Sequence, residues 1–403
     1  MNNDNGTMVS ERPRSATQSP RRGLTEEIQR AVADVDLDAW EQVRPSSDYF
    51  MDLRLLKALE ISMADSCRFR FVIYRDASTK PVAIAVLCTF TIDIGILAED
   101  AWSQWALSRL GKISRQLVDY RILFCGLPLS AGQSSLRFTP EADTAGVMNL
   151  LDQTLRRVAR QDKSKIIVLK EFADHEMPPL KTLENLGYRK ADSLPTHIVH
   201  LRSDSFDEYL RSLGQNSRHS IKRSMKKFAA SGLQFMTTSD IETIERLMTP
   251  EVYELYESVF LRSKTKFEHL PLSFFTEMPR QLPDCCELTF AMEAERVRGF
   301  SIALHSGHDY CGLYMGFDES INSDTHLYFN LSLRGIEDAA RHSATHVEIG
   351  QNSEEVKRIK FGALQSRRSI YVRGSNGIMN WIIGLLFKQL FPSRPVHGEV
   401  PTE

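Results

Sequence analysis

The chain has 403 residues, 42% of them hydrophobic and 25% charged, with a formal net charge of -2. That length exceeds one ordinary core, so two domains are expected, and the near-neutral charge excludes a globally basic nucleic-acid binder. The cysteines at 67, 88, 125, 285, 286 and 311 are scattered without C-x-x-C spacing, which argues for reduced core residues of a cytoplasmic protein.

Residues 1–23 are rich in Asn, Ser, Pro and Arg and carry no apolar h-region. They predict a disordered tail and no signal peptide. Leu24, Ile28, Ala31 and Val35 stand at helical spacing and predict a helix over Leu24–Trp40. Phe50–Met63 predicts a second, through Leu53, Leu56 and Leu59. Strands are expected at Phe69–Tyr74 and Val82–Phe90, around the turn Asp76–Pro81, and at Arg121–Leu127. Thr144–Gln161 predicts a long helix, Lys165–Leu169 a strand, Pro179–Leu186 a short helix closed by Gly187, and His197–Leu201 a further strand.

The second half repeats this order. A helix over Ser205–Leu213 starts on a capping-box spacing, Ser205 with Glu208. A basic helix, a strand at Leu233–Thr237, and helices from Asp240 and over Glu251–Ser263 follow. Cys286–Glu293 and Val297–His305 predict a hairpin, Tyr310–Gly316 the next strand, Leu327–His342 a helix and His346–Ile349 a strand. Each half is a mixed α/β unit, with lobes expected at 24–200 and 201–403. Two apolar stretches are too interrupted to span a membrane. Val82–Leu97, carrying Asp93, predicts a pair of buried strands, and Ile378–Phe391, broken by Asn380, Gly384, Lys388 and Gln389, a docked amphipathic helix. No stable membrane insertion is expected.

Asn216–Phe228 is the most informative local feature. Ile221, Met225 and Phe228 form an apolar stripe, while Arg218, Lys222, Arg223, Lys226 and Lys227 fan over the rest. No acidic residue lies between Glu208 and Asp240, where with Arg211 there are six Lys or Arg. Such a face is either a solvated surface paired with distant acids or a docking surface for donor phosphates. In His346–Gly362, Gly350 and Gln351 fall beyond the carboxyl end of a strand, where open α/β sheets bind ligands. Lys357 and Lys360 follow at helical spacing. Glu348 is a candidate general base for an amine, or else an edge carboxylate paired with Lys357.

The histidines at 197, 200, 305, 308, 342 and 346 lack H-x-x-x-H spacing, so no metal site is expected. No G-x-S-x-G or Walker-type loop is present, which removes serine hydrolases and P-loop nucleotidases. Tyr310, Tyr314 and Tyr328 are core candidates, one of which could protonate a leaving thiolate or ribose oxygen.

Two segments together resemble the GNAT-like acyltransferase group that includes the FemAB-type peptidoglycan transferases and the BioF2-like acetyltransferase domain. The first is Ser205–Leu210 with Arg218, Ile221–Arg223 and Gly232–Phe235. The second is Leu327–Phe329 with Ile336, Glu337, Ala339, Ala340, Glu348, Gly350, Glu355, Lys357 and Lys360–Gly362. The likeness is close over 190–365. It implies two tandem GNAT-like lobes with mixed central sheets and transfer of an acyl or aminoacyl group to an amine. Two departures stand out. The glycine-rich segment and terminal proline of the peptidoglycan-type members are replaced by Gln351–Ser353 and Ala363–Leu364, and no Q/R-x-x-G-x-G/A pyrophosphate loop is present.

Three functions are weighed on this basis. The first is an N-acyltransferase using acyl-CoA as co-substrate, with no permanently bound cofactor and a small-molecule or peptide amine as acceptor. In the second, aminoacyl-tRNA is the donor. The third is a non-catalytic binding protein on the same scaffold. Glu348 and Tyr328 are the catalytic candidates, Arg218, Lys222, Arg223, Lys357 and Lys360 the donor-phosphate candidates, and Gly350 and Gln351 the loop.

Overall fold

The computed structural model describes residues 23–93, 119–263 and 268–393. Its first sheet runs β1 (Thr25–Gln29), β2 (Arg68–Arg75), β3 (Pro81–Asp93), β4 (Asp119–Cys125), β6 (Ile166–Phe172), β15 (Ser369–Gly374) and β7 (Arg189–Asp192), with β5 (Leu136–Phe138) on β3. The second runs β9 (Gln234–Thr238), β10 (Cys286–Glu293), β11 (Arg296–Ser306), β12 (Asp309–Phe317), β13 (His346–Glu348), β8 (Thr196–His200) and β14 (Leu364–Ser366). The sheets are built alike. In each, four antiparallel strands lead to one parallel pair, β4 with β6 and β12 with β13, and two further antiparallel strands follow.

The strand beyond each parallel pair comes from the other half of the chain. β8 lies in the second sheet and β15 in the first, so each half completes the other's sheet. The expected lobes, 24–200 and 201–403, follow chain order, whereas the sheets depart from it at these two strands.

Local chemistry sets the element ends. Asp76 Oδ1 accepts from the amides of Ser78 and Lys80 and closes the β2–β3 turn. The helix α3 (Thr144–Asp162) is capped by Asp143, and α5 (Phe206–Ser212) by Ser205, whose hydroxyl accepts from the Glu208 amide as the capping-box spacing predicts. α4 (Met177–Asn185) carries proline in its first turn, where no amide partner is lost. Val147, Leu151 and Leu155 of α3 cover one face of the first sheet with Leu123 and Ile167. The other face joins the second half of the chain in one continuous core. There α1 (Leu37–Val43) contributes Trp40, α2 (Leu53–Ser62) Leu55 and Leu59, and α9 (Leu272–Gln281) Phe274 and Phe275.

Three expectations are corrected. Leu24–Trp40 is not one helix: its first part is the edge strand β1, paired with β2, and only Leu37–Val43 is α-helical. Leu24 and Ile28 pack on the α3 side of the sheet and Val32 and Val35 on the other, a division one straight helix could not make. Val82–Asp93 belongs to a single long strand rather than two, and 94–97 lie outside the described residues. The helix α13 (Gly377–Leu390) docks through Ile383, Met379 and Phe387, yet Ile378, Trp381 and Leu385 remain more than half exposed. No helix among the described residues is long and apolar enough to cross a membrane.

Candidate active site

β13 is only three residues long, and its pairing with β12 is confined to Asp309–Cys311 against His346–Glu348. Beyond that point the two strands part, because Gly350 turns away with φ 79°. The turn is held from behind. His197, fully buried, places Nδ1 3.0 Å from the Gly350 carbonyl, and its Nε2 lies 3.3 Å from the Gln365 amide nitrogen. A carbonyl only accepts, so Nδ1 carries the proton. Burial, followed by the charge of Lys357, lowers His197 to about 4 and keeps the ring neutral. On its other edge β12 has a bulge: Ile302 opposes Tyr314 and Ala303 opposes Gly312, leaving Leu313 out of register at the parting.

Glu348 ends β13 with 8% exposure. Its Oε2 accepts from Gln133 Nε2 at 3.0 Å, and its Oε1 is buried with no hydrogen-bond partner among the described residues. Burial raises its carboxyl to about 7, against the pull of Arg368, the Gln133 bond and Lys357. Lys357, on α12 (Glu354–Phe361), is lowered by burial to about 7, with Glu348 pulling the other way. Gln351 donates to Glu171 Oε2 at 3.0 Å and to the Leu194 carbonyl at 2.8 Å. Arg368 donates from Nε to the Gly132 carbonyl at 2.6 Å. The first half of the chain thus supplies Gly132, Gln133 and Glu171 around a carboxylate from the second.

Glu348 also lines a cavity of about 330 Å³. The first half of the chain lines it with Tyr49, Phe50, Gln133 and Arg137, and the second half with Asp309, Tyr310, His346 and Arg368. Its apolar and charged lining suits a small polar guest.

Of the sequence candidates, Glu348, Gly350, Gln351 and Lys357 come together. Lys357 is interior and faces Glu348 rather than the surface. Tyr328, at the start of α11 (Leu327–Arg341), stacks obliquely on Phe317, with no bond to Glu348 among the described residues. Arg218, Lys222 and Arg223 lie on α6 (Gln215–Ala230), and neither they nor Lys360 line the cavity.

α6 packs against α12, where Ser217 donates to the Ile359 carbonyl at 2.7 Å, so one helix separates the basic face from Glu348. Among the described residues no carboxylate pairs with Arg218, Lys222, Arg223 or Lys226. Arg218 donates to the Arg211 carbonyl, and Lys227 to the Ser323 carbonyl. Arg223 and Lys227 also bring positive charge to His326 at the amino end of α11, whose first turn carries no acid. A helix amino terminus beside unpaired cations favours phosphate. The helix directly after β12, α10 (Glu319–Thr325), is different: Asp318 caps it and Glu319 opens it, leaving no place there for a pyrophosphate.

The first sheet has closed the equivalent gap. Where β4 and β6 part, Lys170 bonds the Leu127 and Leu129 carbonyls at 3.2 and 2.8 Å. A Cβ on Gly126 would stand 2.4 Å from the Lys170 side chain. The parting in the second sheet has no such plug among the described residues.

Sequence reasoning missed Gln133, Glu171 and Arg368, because they sit far apart in the chain and on loops or strand ends. It also missed a second buried carboxylate, Glu268, which accepts from Tyr314 and from the amide and hydroxyl of Ser130 between the halves.

Over residues 31–378 the chain matches the FemAB-like family profile, described as peptidoglycan biosynthesis/recognition. No curated protein matches it. Among solved structures, a tandem GNAT protein from the clavulanic acid biosynthesis pathway aligns with a TM-score of 0.51 at 12% identity, over 88% of this chain and 99% of that one. A conserved protein of unknown function from Bacteroides thetaiotaomicron aligns at 0.50 and 10% identity, over 85% and 97%. FemX aligns at 0.49 and 12%, over 78% and 90%. The fold is that of two tandem GNAT-like lobes.

Proposed function

Because the chain belongs to the FemAB-like family, and with it is a transferase of acyl or aminoacyl groups, we propose that it acylates an amine at Glu348 with an acyl-CoA as donor. The observation that carries this reading is the Glu348 carboxyl itself: buried on a cavity wall, raised to about 7, and with one oxygen unpartnered. A group so placed can take a proton at neutral pH.

The acceptor amine enters the cavity as an ammonium and gives its proton to Glu348. The neutral nitrogen attacks the thioester carbonyl, forming the C–N bond. The backbone amides left out of register at the Leu313 bulge are the donors assigned to the developing oxyanion, a role that needs donors fixed in advance. The C–S bond then breaks, the thiolate takes a proton from Lys357, which is tuned to about 7, and the new amide nitrogen gives its second proton to the Lys357 amine left neutral by that step. Proximity supplies much of the rate, with no covalent enzyme intermediate. The donor phosphates rest on Arg223, Lys227 and the amino end of α11. Such a donor puts the reaction in the cytoplasm.

The unpaired row from Arg218 to Lys226 favours a second reading, in which the donor is an aminoacyl-tRNA. Eight residues of helix cover about 12 Å, enough for successive phosphates of one strand. The test is direct: purified protein is given a panel of acyl-CoAs and amines and thiol release is followed, with charged tRNA carrying labelled amino acid in parallel. Thiol release that E348Q abolishes supports the first reading, and label transfer the second. Silence with both donors across a broad amine panel sinks the proposal.

A further inference from the structure

Away from Glu348, the second sheet brings together three metal-ligating side chains that sequence spacing kept apart. Glu287 lies near the start of β10, His305 near the end of β11, and His342 at the carboxyl end of α11. Glu287 pairs with Ala303, and His305, two residues further on, stands on the same face of the sheet. α11 packs on that face and delivers His342 to it. One donor atom from each residue falls within 4.8 Å of the other two.

We propose that Glu287, His305 and His342 bind one divalent transition-metal ion of the zinc class. Two imidazole nitrogens and a carboxylate oxygen are a donor set for zinc, cobalt or nickel rather than for magnesium or calcium. His342 Nε2 is 3.1 Å from Glu287 Oε2, close to the separation of two neighbouring ligands about 2.1 Å from a shared zinc. The other carboxylate oxygen, Oε1, accepts from the Tyr310 hydroxyl at 3.0 Å, which orients the ligand from behind as outer partners of metal sites do. The His305 and His342 rings are stacked at 3.7 Å and 17°. His305 has no ring-nitrogen hydrogen bond among the described residues, so one imidazole lone pair is left for a cation. Both rings are half-buried, which leaves a coordination position for water. The ion ties β10, β11 and α11 together behind Tyr310, independently of which acyl donor the protein uses.

Untagged full-length protein, stripped with a chelator, is titrated with zinc by calorimetry and with cobalt by visible absorption. One equivalent per chain is expected, with a cobalt d–d band and a higher melting temperature. H305A and H342A should each weaken zinc by about 100-fold or more, and Y310F by about 10–100-fold. H269A, which alters an exposed histidine paired with Glu257 at 3.2 Å, should bind as wild type. Circular dichroism of the metal-free variants checks folding, and H342A decides alone if H305A does not fold. Less than one equivalent in the wild type, or undiminished binding in H342A, overturns the proposal.

Discussion

Glu348 and Lys357 lie within Coulombic reach of one another in the interior, and burial brings both to about 7 from opposite sides. Groups coupled in this way titrate as a pair. The acid limb of kcat/KM should therefore fall near pH 7, and E348Q should remove the limb together with most of the activity. Arg368 outranks Lys357 among the groups that lower Glu348. R368Q should move the limb to higher pH, and K357M should move it the same way by less. A limb that stays put in R368Q would remove Glu348 as the base. Rate–pH profiles of the three variants, with melting temperatures as a control, check this.

His197 gives a separate pH signature, in stability rather than rate. Its folded value of about 4 lies below the ordinary 6.5. A lowered value means the stabilisation is whole above pH 6.5 and is lost as pH falls from there towards 4. The full effect is on the order of 3 kcal/mol, since each unit is worth about 1.4 kcal/mol. H197Q should be less stable at pH 8 and show a flatter decline over that window, measured by urea unfolding at several pH values. An equal slope in wild type and variant would show that protonation of His197 is not coupled to folding.

The strong local signals carried most of the fold, and the site was legible only where it is local. The α3 stripe, the Ser205 cap and the β10–β11 hairpin arise from residues within a few positions of one another. β15 could not be read as a partner of β6, because its placement depends on an exchange between halves some 200 residues apart along the chain. The same holds for the site. Glu348, Gly350, Gln351 and Lys357 share one short segment and were visible together. Gln133 and Arg368 reach it only after the chain has crossed between lobes. Leu24–Gln29 failed for another reason: spacing of four suits a helix turn and also one face of a strand.

The α6 cations should act on donor binding and leave the chemical step alone. K222E/R223E is expected to raise KM for the donor while kcat at saturation changes little, since neither residue lines the cavity. If the donor is charged tRNA, log affinity should fall linearly with log salt, and the double variant should reduce that slope by about two, one for each lost phosphate contact. Filter binding across a salt series and steady-state kinetics read both. Wild-type KM and slope in the variant would mean that this face is a solvated surface.

Gly132, next to Gln133, lies beside Glu348 where the two halves of the chain meet. Its φ is +65°, and a Cβ there would stand 2.0 Å from Thr196 Cγ2 and 3.3 Å from Glu348 Oε1. G132A must strain the backbone and push against β8, at a cost of about 1–3 kcal/mol. Its carbonyl anchors Arg368 and the next residue, Gln133, holds Glu348, so the shift should also move the acid limb of activity upward. The clash is with one methyl group. T196S removes that methyl and keeps the hydroxyl, so T196S/G132A should recover part of the lost stability and activity. Without any recovery, the collision is not the cause of the defect, and the left-handed backbone requirement at Gly132 is left to account for it.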